Sequence, residues 1–419
     1  MTNDYPLRYA KHIAKRFLGR EDPVWPLYYF EHSLHPDTPG RHDEILSWAE
    51  ESLAHKDLFE APERYAQSAD PIVRQGYALK QEVERTFRGK RADATHLRLM
   101  LQIPDASISP GGFSLLSNFA ESFEFIGIPV YSLGLEDDTR EALETFRPTI
   151  FLSIGDNAFL KKIDWLAVAD YRKTHDLRIG LNARLEEEEV GNPPLIPRLD
   201  WAQAHGVDFF FSFRDEDYIH TRKEYQPFFE RGYSILTIPF GANPLHYYPI
   251  PEIQRDINFS LLASGTWKKG VAYQPARDIV SRYSGFIDGI GWRHVKGFTF
   301  MKDRDRYIYA RSKVGLNFHL PEQIEWACEV NERTHQLAMC GLPQLLDPAK
   351  LLPKLYSEDA MFVCRTSDEF VDTFEHILAD PAYGQERALR AQREVFERHT
   401  TFHRADAFAT QLTTFLTTR

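Results

Sequence analysis

From residue 96 onward the chain alternates short apolar runs with stretches of helical spacing, and that alternation limits the fold more than any other feature. "HLRLMLQIP" (96–104), "IPVYSLG" (128–134), "TIFLSIGDN" (149–157), "LRIGLNA" (177–183), "VDFFFSFR" (207–214) and "YSILTIPFGAN" (233–243) each read as a buried strand. Helical stretches lie between most of them. Apolar strands separated by helices belong to a parallel sheet covered on both faces. "NPLHYYPIPEIQRD" (243–256) holds three prolines and no clear period, so it reads as a linker. The rhythm then restarts with "INFSLLASGTWKKG" (257–270), "FIDGIGW" (286–292), "VGLNFHL" (314–320), "NERTHQLAMCGLPQLLD" (331–347) and "AMFVCR" (360–365). From Ser367 the tail is helical almost to the end. The sequence therefore predicts α/β domains at 96–250 and 251–400, a helical N-terminal extension at 1–95 and a closing helix at 401–419.

A chain of 419 residues is too long for one ordinary core, which agrees with two units. Its formal net charge of −11 argues against general binding of duplex DNA by phosphate neutralisation. Three cysteines form no CxxC pair, which fits free thiols in a reducing compartment and no zinc site. No run of 18 apolar residues and no signal peptide is present, so a cytoplasmic protein is expected. "PLRYAKHIAKRFLGR" (6–20) puts Leu7, Ala10, Ile13, Ala14, Phe17 and Leu18 on one helical face. Such a basic amphipathic helix suits packing on its own protein or a weak peripheral contact with the inner face of a membrane.

Open α/β sheets bind ligands beyond the carboxyl ends of their strands, so the loops there matter most. In 331–347, Asn331 is a good N-cap, while Gly341 followed by Pro343 is a good stop. The spacing predicts a helix of about ten residues. Its first N–H groups form a ready anion site to which Arg333 adds positive charge, and Gln336 can hydrogen-bond hydroxyls. The same residues also describe an ordinary capped helix with a solvated arginine. "SGTWKKG" offers Gly265, Thr266, Lys268 and Lys269 after a strand, a composition that neutralises a diphosphate, although paired lysines are usually solvated. It lacks the Walker spacing, and "PGGFS", with Gly111 and Gly112 in a loop that feeds a helix, lacks GxGxxG, so no nicotinamide cofactor is expected. His319 stands at the root of the loop after 314–320. Asp156 follows the strand "TIFLSIG", where a base is placed as readily as a helix cap. "LEEEEVG" (185–191) reads as a solvated acidic turn. With no HExxH, no GxSxG and no clustered metal ligands, neither a metal nor a cofactor is expected.

Order along the chain adds a family likeness. Leu316–His319, Asn331–Gly341, Ser367–Phe370 and Arg398–Thr400 resemble the "LN-hydrophobic-H", N-x-R-T, "S-x-D-E" and "R-H-T" motifs in the C-terminal half of GT-B glycosyltransferases. The nearest group is the spore-maturation-type (CgeB-like) one, related to family-4 enzymes. "PFGANPLHYYP" (239–249) also resembles the junction between the two domains of such enzymes. The likeness covers roughly residues 230 to 410. It implies two Rossmann-like domains facing a cleft, with a nucleoside diphosphate sugar, UDP- or GDP-linked, held by the C-terminal one. It makes Asn331, Arg333, Thr334 and Gln336 the diphosphate and sugar segment, with Gly265, Thr266, Lys268 and Lys269 against the phosphates. The implied reaction is hexosyl or pentosyl transfer to a hydroxyl acceptor, in synthesis of a glycan or glycoconjugate. The acceptor is a glycan, a lipid-linked glycan, a protein or a modified base, approached from the side of Gly111 and Gly112. Family-4 enzymes often carry two glutamates in this region. Here the second position is Gln336 and the first is Cys328, with Glu329 and Glu325 nearby, so a retaining or inverting outcome stays open. Asp156, Glu329 and His319 are the candidate catalytic residues. A nucleotide-sugar 2-epimerase of the same fold and a non-catalytic scaffold are the rival readings.

Overall fold

A computed structural model of the chain describes residues 33–106, 109–185, 193–263, 273–288 and 302–418. The basic stretch 6–20, the acidic residues 186–189 and the loop with Gly265, Thr266, Lys268 and Lys269 lie outside these residues. Two compact units form. One comprises Glu82–Asn243 with His399–Arg419, the other Met1–Gln81 with Pro244–Arg398.

The first unit holds a six-stranded parallel sheet: β1 (Leu99–Gln102), β2 (Val130–Leu133), β3 (Ile150–Ser153), β4 (Arg178–Asn182), β5 (Phe209–Ser212) and β6 (Ile235–Thr237). Its order is β2-β1-β3-β4-β5-β6. Strand alternation sorts its aromatics to two faces. On β5, Phe210 packs against Phe228 and Tyr233, whereas Phe209 and Phe211 meet Phe415 and Phe408 of the terminal helix Thr401–Thr417. That helix is capped by the Thr400 hydroxyl, which accepts from the His403 amide. Just before it, Ala242 donates to His399 O (3.2 Å) and accepts from Thr401 N (2.9 Å). A side chain at Gly241 would come within 2.7 Å of His399 O, so glycine is what permits this approach.

The second unit holds a five-stranded parallel sheet: β7 (Ile257–Leu262), β8 (Phe286–Asp288), β9 (Ser312–Asn317), β10 (Gln344–Leu346) and β11 (Phe362–Val363), in the order β11-β10-β9-β7-β8. One face buries Phe259, Leu261, Leu316 and Leu345 against Phe370 and Phe374 of the helix Ser367–Ala379. The other is covered partly from the N-terminal region. Ile45 and Ala49 of the helix Asp37–Ala54 join Ile257, Phe286, Tyr307 and Ile308 in one cluster. His42 stacks on Phe286 at 4.7 Å. Residues from 37 to 81 are thus a layer of this unit.

The boundary between the units falls at the start of residues 243–256, as expected, but much of the segment is buried. Asn243, Tyr247, Tyr248 and Ile250 are buried. Prolines remove the helical and strand periods, but the two tyrosines still carry large apolar area that folding takes out of water. Tyr248 donates to Glu60 (2.6 Å), as does Tyr307 (2.7 Å), and the fully buried Arg306 pairs with the same carboxylate. The Arg306 guanidinium lies 3.8 Å from the centre of the Tyr248 ring. A buried guanidinium needs such company, because an unpaired one would lose several kcal/mol of solvation.

The stretch 331–347 forms the helix Glu332–Met339, shorter than the expected ten residues. It closes in a Schellman turn: Gly341 N bonds to Ala338 O and Leu342 N to Leu337 O, each 3.0 Å, with Gly341 at φ +67. A Cβ there would stand 2.1 Å from Ile72 on the N-terminal helix Pro71–Phe87. Gly341→Ala therefore meets both a left-handed backbone and a collision. Stability should fall by about 1–3 kcal/mol, read from the urea midpoint. An unchanged midpoint would show that this turn does not fix the helix against Ile72.

Candidate functional site

Both sheets share one winding. The chain lays its second strand on one side of the first and its third strand on the other, as in the flavodoxin-like order. The connections after the first and third strands therefore leave in opposite directions and open a crevice between them. In the second unit that crevice lies between the carboxyl ends of β7 and β9.

Arg333 spans it. Its Nε donates to Leu262 O at the end of β7 (2.5 Å), and Nη1 donates to Asn317 Oδ1 at the end of β9 (3.3 Å). Arg333 is half-buried in the first turn of the helix Glu332–Met339. Among the described residues, neither its Nη2 nor its backbone N–H has a hydrogen-bond partner. A positive charge and an unbonded amide at a helix N-terminus are what an anion binds. Gln336 stands three residues on, 8% exposed, and its side-chain amide bonds to no described residue.

The residues around Arg333 form a network that holds it. Asn331 caps the helix, its Oδ1 accepting from Thr334 N (3.0 Å), and its Nδ2 donates to Asn317 Oδ1 (2.9 Å) and Phe318 O (3.0 Å). The Thr334 hydroxyl is the hub. Asn317 Nδ2 donates to it (2.9 Å), and His319 Nε2 lies 3.1 Å from it. His319 Nδ1 lies 2.5 Å from Asp347 Oδ1. With Nδ1–H donated to that carboxylate, Nε2 is left to accept the Thr334 proton. Gln344 Nε2 donates to Thr334 O (2.9 Å), which ties β10 into the same network. Asn317, His319 and Thr334 are each 0% exposed. Both His319 ring nitrogens are engaged inside the protein, and through Thr334 they help to position the helix.

The other candidates are scattered. Glu329 is half-buried on the loop before the helix, where Gln323 Nε2 donates to it (3.0 Å). Asp156 lies beyond β3 in the first unit and does not cap the short helix that follows; instead it pairs with Arg184 at 2.7 Å. Gly111 and Gly112 are not in a loop. Pro110 starts the helix Pro110–Phe125, which takes both glycines into its first turn. One group escaped sequence reading: Asp288, at the end of β8, shares Arg304 with Asp305, at 3.1 and 3.0 Å. Burial pushes the Asp305 carboxyl up to about 6 against the pull of Arg304 and of Arg333. The signal was available in "FID" ending a strand and "KDRDRY" opening a helix, but no spacing rule joins them. Among the described residues no group of three or more His, Cys, Asp or Glu is placed to hold a metal ion, and no helix is long and apolar enough to cross a membrane.

Residues 265–410, about a third of the chain, match a protein-family model described as Glycosyl transferase-like. The match begins just after β7 and includes β9, Arg333 and the Thr334 network. No curated protein sequence matches the chain. Among solved structures, Anabaena HepE in complex with UDP-glucose is 12% identical, covering 76% of this chain and 100% of that one at a TM-score of 0.49. Sucrose-phosphate synthase from Thermosynechococcus elongatus is 10% identical over 77% and 98%, at 0.48. T4 phage BGT in complex with its UDP-glucose substrate is 7% identical over 76% and 98%, at 0.47. At such values the parallel architecture rests on the strand pairings of this chain.

Thr334→Val keeps the shape and removes the hub. Asn317 and His319 would then each keep a buried polar group without its partner, at a cost of about 1–3 kcal/mol. The urea midpoint should drop accordingly, and equal midpoints for the two proteins would remove Thr334 from its central place.

Proposed function

We propose that this protein is a glycosyltransferase that moves a sugar from a nucleoside diphosphate to a hydroxyl acceptor. The reading rests above all on Arg333, which bridges the ends of β7 and β9 with donors still available inside the segment matched by the glycosyl transferase-like family. The GT-B arrangement and the CgeB-like likeness of the sequence motifs belong to the same proposal, as does a UDP- or GDP-linked donor.

In this reaction the bond between the anomeric carbon and the β-phosphate oxygen breaks. The acceptor oxygen bonds to that carbon and passes its proton to the departing phosphate in a retaining reaction, or to a carboxylate such as Asp156 in an inverting one. Negative charge gathers on the departing diphosphate, and Arg333 with its backbone N–H is placed to stabilise it. Gln336 supplies a neutral amide for a sugar or ribose hydroxyl. The arginine is fixed before the ligand arrives, since Leu262 O and Asn317 already orient it. Little reorganisation is then needed as charge develops.

A titration of UDP, GDP, ADP, CMP and dTDP tests the donor site. One nucleoside family should bind, and Arg333→Ala should weaken that binding by about 10- to 100-fold, the loss of a charge-assisted hydrogen bond. Arg333→Lys should recover only part of it, because a lysine cannot hold the same fork. An identical titration by wild type and Arg333→Ala would overturn the assignment.

A further inference from the structure

The first unit contains a cavity of about 250 Å³ at the carboxyl ends of β3 and β4. Aromatic rings of Trp165, Trp201, Phe210 and Phe228 contribute to its wall. They are held in place: the Trp165 indole N–H donates to Leu160 O (2.9 Å), Trp165 and Trp201 meet edge to face at 5.1 Å, and Phe210 meets Phe228 at 4.7 Å. A dry cavity of roughly 150 Å³ accepts one benzene ring. This one has room for a bicyclic ring system or a branched hydrocarbon of similar size.

Polar side chains share the lining: Asn157, Lys161, Arg184 and Arg198, of which Arg184 is bonded to Asp156. Aromatic rings beside these polar groups match a molecule with a hydrocarbon part and a polar end.

We infer that this cavity takes the hydrocarbon part of an amphipathic acceptor, with the polar end beside Arg184. That the occupant is the acceptor rests on the glycosyl-transfer reading; that the cavity binds an apolar group does not. The hydrocarbon is either an isoprenoid chain or an aromatic ring, and both share the chemistry of the wall.

Isothermal titration calorimetry with farnesyl phosphate, 2-naphthyl phosphate and inorganic phosphate tests it. At least one organic phosphate should bind saturably and inorganic phosphate should not. Leu195→Trp, which adds bulk to the lining, should weaken that binding at least tenfold. The tighter-binding of the two organic phosphates identifies the hydrocarbon: farnesyl phosphate a chain, 2-naphthyl phosphate a ring. No binding of either organic phosphate, or equal binding by wild type and Leu195→Trp, overturns the inference. A parallel UDP and GDP titration separates the two readings, since loss of nucleotide binding alone would strike the donor site and leave the cavity standing.

Discussion

Arg333 reaching the last carbonyl of β7 while touching Asn317 at the end of β9 is the contact on which the rest of the candidate site depends. It exists because the chain reverses its winding between these strands and leaves their carboxyl ends flanking an open crevice. An arginine there would swing freely unless its helix were fixed. Thr334 fixes it, one residue away, by gathering Asn317 and His319 on one hydroxyl. Asp347 and Gln344 then carry the same order into β10. The half-buried arginine is therefore positioned by side chains that never meet solvent. Such an arrangement suits a site that must hold charge still, because the surrounding dipoles are set before the ligand binds.

Support also reaches the helix from far along the sequence. Its C-terminal turn closes against Ile72, and Arg255 donates to Gly341 O (3.3 Å). The N-terminal helices contribute Ile45 and Ala49 to the cluster beneath β8 and Glu60 to the buried Arg306. Residues 37 to 81 thus shape the unit that carries Arg333.

Much of the fold was legible because its periods are strong. Every apolar run singled out in the sequence became a parallel strand, and Asn331, Gly341 and Pro343 gave the ends of the key helix. The charge of Arg333 and its place in the first turn were also readable. What the sequence hid were contacts between distant segments. His319 looks like an acid or base until Asp347, 28 residues away, is seen to occupy its ring. Gly111 and Gly112 look like a flexible loop because helix onset depends on Pro110 and on close packing, where a Cβ on Gly112 would stand 2.8 Å from the Ser109 hydroxyl. Residues 243–256 look like a linker because prolines erase the period, while their tyrosines find partners as distant as Glu60. Asp288 and Arg304 are separated in sequence and joined only by the packing of a helix on β8.

A crystal structure with the tightest-binding nucleoside diphosphate would test the central claim most directly. A phosphate should lie within hydrogen-bonding distance of Arg333 N and Nη2, over the crevice between β7 and β9. A nucleotide seated elsewhere, with Arg333 still bonded only to Leu262 and Asn317, would contradict it.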